Sequence, residues 1–159
     1  MTASDIFITV NGRGQRARID YPGQSLLSLL RDSLGLTGTK NACEQGECGS
    51  CSVMFDGKLA CACLVLAADC DNSSVETIES GPRDDELCIV QRAFHETGAV
   101  QCGFCTPGLV MAVRDLISRS RGTEIEDATI REAISGNLCR CTGYGRVLVA
   151  ARFAIEQSR

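Results

Sequence analysis

The cysteines constrain this chain more than any other feature. Eleven fall within 159 residues, and eight of them lie in two groups with ligand-like spacing. The first is Cys43-x4-Cys48-x2-Cys51, followed after eleven residues by Cys63. The second is Cys102-x2-Cys105 with Cys139-x-Cys141 further along. An odd number of cysteines argues against a disulfide framework. The start, Met1-Thr2-Ala3-Ser4, runs directly into strand-like sequence with no basic or apolar leader and no twin arginine. A cytoplasmic location is therefore expected. In a reducing compartment, clustered thiols are kept for metal or redox work.

Composition removes several other functions. Net charge is −4, and the 16 Lys and Arg are scattered, whereas nucleic-acid binding needs a basic stripe against the phosphates. Aromatic residues make up 4% and Trp is absent, so stacking platforms for single strands are lacking too. No apolar run approaches the ~18–20 residues of a membrane span. Hydrophobic content of 44% with 23% charged residues is that of a globular protein.

Two halves are expected. Residues 5–78 read as mostly β. Ile6, Ile8 and Val10 alternate with other side chains, Asn11-Gly12 begins a turn, and residues 15–21 return as a second strand. Ser25 precedes a helix carrying Leu26, Leu27, Leu29, Leu30 and Leu34, stopped at Gly35. Residues 52–55, an Asp56-Gly57 turn and residues 58–66 form a second hairpin, and residues 74–78 a last strand. Residues 79–85 read as a linker that keeps the halves as independent modules. Beyond it the pattern is helical. A helix over 86–97 ends at Gly98, and Thr106-Pro107 looks like the N-cap and first position of another. That second helix would carry Leu109, Ala112, Val113, Leu116 and Ile117 on one face. Two further helices span 127–135, ending at Gly136, and 146–156, with Val147, Ala150, Ala151, Ala154 and Ile155 inward. The domain division is thus 1–78, a linker over 79–85, and 86–159, in an α+β chain.

The first cysteine group has the plant-type ferredoxin spacing that holds a [2Fe–2S] cluster. Gly46 and Gly49 allow the backbone to curl round a cluster, and a tight loop aims N–H groups at sulfur, which tunes potential. The competing reading is zinc, although four-cysteine zinc sites more often pair two C-x2-C knuckles. In the second group, Cys102-x2-Cys105 sits at a helix N-terminus, where the macrodipole favours thiolates. Cys139-x-Cys141 lies in the turn before the last helix, with Gly143 giving room. By spacing alone, zinc stays open for this second set.

Longer motifs carry a resemblance. Gln101-Cys102-Gly103-Phe104-Cys105-Thr106-Pro107-Gly108 and Gly136-Asn137-Leu138-Cys139-Arg140-Cys141-Thr142-Gly143-Tyr144 resemble the paired signatures of the small subunits of molybdenum hydroxylases, the xanthine dehydrogenase and aldehyde oxidase group. Gly38-Thr39-Lys40, the run Cys43 to Cys51 and the Asp56-Gly57 hairpin resemble that family's N-terminal signature, and the likeness covers nearly the whole chain. It implies a β-grasp ferredoxin-like domain followed by a four-helix bundle. Cys43, Cys48, Cys51 and Cys63 would bind the [2Fe–2S] cluster nearer the flavin. Cys102, Cys105, Cys139 and Cys141 would bind the one nearer molybdenum. Gln101 and Cys139 would lie against the pterin of a molybdenum cofactor held by a large partner subunit, and a medium subunit would hold FAD. The same likeness implies a dimer of heterotrimers in which this chain passes electrons from molybdenum to flavin and has no catalytic residue of its own. The substrate reading leans to purines of the xanthine type, with other N-heterocycles, aldehydes, carbon monoxide or aryl-CoA esters as alternatives.

Several residues have plainer readings. Cys61 is two residues from Cys63; the family pattern places the ligand seven positions after Asp56, which selects Cys63. Cys61, Cys70 and Cys88 otherwise read as small buried residues. His95 reads as a surface or capping residue, Arg140 as solvent-facing or cluster-stabilising, and Tyr144 as packing. A free-standing ferredoxin-like carrier and a zinc interaction module are the rival functions.

Overall fold

The computed structural model describes residues 4–81, 87–120 and 123–159. In the N-terminal half, β1 (Ser4–Val10) and β2 (Arg13–Ile19) pair antiparallel across a two-residue turn. Asn11 and Gly12 both take positive φ there, 51° and 75°, the conformation that matches strand twist in such turns. β3 (Ser52–Phe55) and β4 (Lys58–Cys61) repeat the device at Asp56-Gly57. β5 (Ser74–Glu76) lies between the hairpins, parallel to β1 and antiparallel to β3, giving the order β2-β1-β5-β3-β4.

Ile6, Ile8 and Val10 point into the core as the alternation requires, where they meet Val53, Val75 and four buried leucines. Those leucines sit on α1, which starts at Leu26–Ser28 and widens into a π turn at Leu29–Ser33. Ser25 caps it by accepting from the Ser28 N–H at 3.2 Å, and Gly35 leaves it with φ +71°. The predicted strand over 58–66 is shorter. β4 stops at Cys61 because the chain turns there, with the Leu64 N–H donating to Cys61 O at 2.9 Å, and this swings Cys63 back toward Cys51.

Among the described residues the C-terminal half has four helices: α2 (Ile89–Glu96), α3 (Thr106–Ser120), α4 (Asp127–Ile134) and α5 (Gly145–Gln157). They share one core that includes Phe94, Leu109, Val113, Leu116, Ile130 and Val147. Ala150, Ala151 and Ala154 are fully buried on α5, and their small size lets α2 approach it closely. The expected start at residue 86 lies outside the described residues, and α2 begins three positions later. Among the described residues no helix is long and apolar enough to cross a membrane.

α3 differs from expectation in having two buried faces. Leu109, Val113 and Leu116 enter the helical core as predicted, but Gly108 and Met111 are buried as well and lie outside it. That second face packs on β3 and β4. Arg114 reinforces the contact by donating to Glu76 of β5 and to Ser80, each at 2.8 Å. The halves are therefore one packed body rather than modules kept independent by a linker. Residues 82–85 of that linker lie outside the described residues; Glu79 accepts from the Gly38 N–H at 2.7 Å, so its start is tied to the first half.

The alanine seam gives a clear expectation. Ala151→Leu should overpack a fully buried position and cost about 1–3 kcal/mol, lowering the thermal midpoint of the metal-loaded protein. Arg152→Ala, which removes only an exposed ion pair with Asp127, should leave that midpoint nearly unchanged.

Candidate metal centres

The loop after α1 brings the first thiols together. Glu44, Gly46 and Gly49 all have positive φ, which curls the backbone so that several N–H groups face one sulfur. The Gln45 N–H points at Cys43 Sγ at 3.4 Å. That contact, followed by those of the Cys48 thiol and of the Cys48 and Glu47 N–H groups, outweighs burial and holds the Cys43 thiol at about 6, well below the usual range. Cys48 is thus the partner of Cys43, while Cys51 and Cys63 partner each other across the start of β3 and the turn after β4. Burial raises Cys51, and burial with the Cys51 contact pushes Cys63 up to about 11. Cys61 also reaches Cys51, and its thiol lies 3.8 Å from Gly46 O. Cys61 is thus a second neighbour of Cys51 beside the expected Cys63.

The second set joins the entry to α3 with the loop before α5. Cys105 caps α3, its carbonyl accepting from the Leu109 N–H at 3.1 Å, and Gly103 turns the chain with φ +84°. Cys141 Sγ lies 3.7 Å from Cys102 Sγ, and that contact raises the Cys141 thiol. Cys139 lies 3.1 Å from the Thr142 hydroxyl and 3.5 Å from its N–H. Burial is the largest influence on Cys139 and pushes it up, but the contacts from Thr142, Cys105 and Cys141 together overcome it and leave the thiol at about 7. Its partner Cys105 moves the other way, up to about 12, through burial and the neighbouring Cys139 sulfur. A backbone N–H at the helix start works to lower Cys105, but burial and the contact with Cys139 outweigh it. Metal binding to these thiols would release whatever protons they carry.

This arrangement suits a two-metal cluster better than a single ion. Two sulfurs on one tetrahedral metal with bonds of about 2.3 Å lie about 3.8 Å apart, the separation seen for Cys102 and Cys141. Among the described residues, no three His, Cys, Asp or Glu side chains converge closely enough to hold one ion. The thiols come in twos: Cys43 with Cys48, Cys51 with Cys63, Cys102 with Cys141, and Cys105 with Cys139. Four cysteines divided in this way are the donor set of a [2Fe–2S] cluster.

The sets differ in exposure. Cys51 and Cys105 are buried, whereas Cys102, Cys141 and the adjacent Gln101 are exposed. Three large apolar side chains, Val100, Phe104 and Leu138, are exposed in the same two loops. His95 and Arg140 are on the surface, away from any ligand role the geometry would demand. Cys70 is buried and donates to Leu66 O at 3.3 Å, and Cys88 precedes α2 with its N–H on Gln91 Oε1. Tyr144 packs against the helical core as expected, and its hydroxyl does something the sequence did not suggest. Its hydroxyl accepts from the Cys139 N–H at 2.8 Å and donates to Asn137 O at 3.0 Å, clasping the ligand loop. Its φ of 65°, left-handed for a non-glycine residue, is a fold-level feature invisible in the sequence.

Comparison with known proteins agrees. Residues 8–88 match the family described as 2Fe-2S iron-sulfur cluster binding domain, and residues 75–152 match that described as [2Fe-2S] binding domain. The chain is 40% identical to the nicotinate dehydrogenase small FeS subunit of Eubacterium barkeri, over 99% of this chain and 98% of that one. It is 43% identical to the xanthine dehydrogenase iron-sulfur-binding subunit of Escherichia coli O157:H7, over 88% and 87%. In the crystal structure of quinoline 2-oxidoreductase from Pseudomonas putida 86, one chain superposes with a TM-score of 0.93 at 37% identity, covering 100% of this chain and 98% of that one. The chain belongs to the family of small iron–sulfur subunits of molybdenum hydroxylases, the xanthine dehydrogenase group.

Proposed function

We propose that this chain relays electrons from a molybdenum–pterin cofactor in a large partner subunit to FAD in a medium one, through two [2Fe–2S] clusters. The observation that carries this reading is the pairing of eight thiols into two sets, one of which opens at the surface. Cys43, Cys48, Cys51 and Cys63 hold the N-terminal cluster; Cys102, Cys105, Cys139 and Cys141 hold the C-terminal one. Residues 1–78 form a β-grasp domain, 79–85 connect it, and 86–159 form a four-helix bundle. Two such heterotrimers pair. The complex works in the cytoplasm, where a reducing environment suits a chain of eleven thiols.

A bound [2Fe–2S] cluster supplies one-electron redox capacity, at a potential set by hydrogen bonds and burial. The protein's share is to provide those two terms. N–H groups of Gln45, Glu47 and Cys48 stabilise negative charge at Cys43, and Thr142 does so at Cys139. Buried Cys51 and Cys105 keep one side of each set dry, and their loops are fixed to rigid elements, β3 and α3. Exposed Gln101 and half-buried Cys139 face the pterin, where the Gln101 amide offers both donors and an acceptor to a polar ring edge. Val100, Phe104 and Leu138 provide apolar area around that contact for the large subunit.

Substrate choice belongs to the large subunit. Identities of 40% and 43% to relatives named for nicotinate and xanthine are too close to separate substrates, so this chain carries little specificity signal. A purine of the xanthine type is our reading, within a wider class of N-heterocycles.

Two measurements test the assignment. Cys63→Ser should abolish or badly perturb the N-terminal cluster, since a hard hydroxyl is a poor ligand there, while Cys61→Ser should leave it nearly intact. Electron paramagnetic resonance showing the reverse would move the fourth ligand to Cys61. For direction, rapid-freeze resonance of a Cys48→Ser complex should show the C-terminal set still reduced by substrate while flavin stays oxidised. A variant lacking the C-terminal cluster should leave the N-terminal set oxidised after substrate. Fast substrate-driven reduction of the N-terminal set in that variant would overturn the order.

A further inference from the structure

Three segments far apart in sequence meet at one point between the thiol sets. Asn137 is 3% exposed, and its Nδ2 donates to Gly49 O at 2.9 Å across 88 positions of sequence. The next residue, Leu138, donates its N–H to Cys48 O, also at 2.9 Å. Cys48 belongs to the first set, and Cys139 of the second follows Leu138 directly. The backbone of one ligand loop is thus hydrogen-bonded to that of the other, immediately beside a thiol on each side.

The space there does not admit a methyl group. A Cβ on Gly108 would come 2.1 Å from Gly49 O and 2.8 Å from Asn137 Nδ2. A Cβ on Gly49 would come 2.5 Å from both Asn137 Nδ2 and Gly136 O. Gly49 has positive φ and so a second reason to be glycine, but Gly108 does not. In a helix, glycine is less favourable than alanine. Nothing local to α3 calls for it at position 108; the close approach of the N-terminal loop does.

We propose that Asn137 is a positioning residue that, with the Gly49–Gly108 contact, fixes the separation of the two clusters and hence their electronic coupling. Its amide holds the first loop against α3, and its carbonyl is held by Tyr144, whose hydroxyl also accepts from the Cys139 N–H. Movement of either loop is thereby transmitted to a ligand of the other set. This inference rests on both sets holding a [2Fe–2S] cluster.

The test uses the assembled complex with Asn137→Asp, which removes the donor while keeping size, and Gly108→Ala, which adds only the methyl. Iron and sulfide content are measured first. Resonance spectra are then taken at partial reduction, for each cluster alone, and at full reduction, where spin–spin splitting reports their separation. Both variants should keep full iron and the single-cluster signals of the wild type but show a shifted or lost splitting. Unchanged splitting in both would overturn the proposal, as would loss of one cluster's iron, which would make Asn137 a support of that cluster. If Gly108→Ala fails to fold, Asn137→Asp decides alone. A wild-type complex with iron for one cluster only would overturn the cluster reading itself, and this inference with it.

Discussion

Bringing four thiols together in two pairs demands a backbone bent against its normal preferences, and the rest of this chain is arranged to hold that bend. The thiols between residues 43 and 63 and those between 102 and 141 come together because left-handed residues sit at the corners, among them Glu44, Gly46, Gly49, Gly103 and Tyr144. Such loops have little stability of their own. Each is pinned instead to a packed element, Cys51 at the start of β3 and Cys105 at the start of α3. The leucines of α1 and the alanines of α5 supply the burial that makes those elements rigid.

Close thiols also repel one another once ionised, and the structure shows how the charge is managed. Within each set a thiol of lowered pKa, Cys43 or Cys139, receives backbone or hydroxyl donors, while others keep their protons under burial. Metal binding takes over those protons' places, so affinity for metal and ionisation of the thiols are linked. The same N–H groups that lower a thiol's pKa remain to stabilise negative charge on a cluster, and so one set of contacts serves both assembly and potential.

Much of this was legible from sequence because it is local. Asn11-Gly12 and Asp56-Gly57 specify their turns, the alternation Ile6-Ile8-Val10 specifies a strand with one buried face, and the first cysteine spacing points to a cluster, while the second left zinc open until the longer motifs around it were read. What stayed hidden depends on contacts distant in sequence. β4 ends at Cys61 because Cys63 must return to Cys51, yet the unbroken apolar run over residues 59–66 reads as a longer strand. Gly108 and Met111 read as an ordinary part of a helix until the sheet is seen against them. Tyr144 packs as expected, but the two hydrogen bonds of its hydroxyl stayed hidden because both are to main-chain groups, which leave no trace in residue spacing. The choice between Cys61 and Cys63 rests on the family pattern, since both thiols reach Cys51.

The account stands on the chain holding two clusters of the same type in two different settings. Chemical analysis of the purified complex for iron and acid-labile sulfide, referred to the amount of this subunit, tests that directly. About four of each per chain, with two distinguishable resonance signals on reduction, is the expected result. About two of each with a single signal would contradict it, and so would zinc in place of iron at either set.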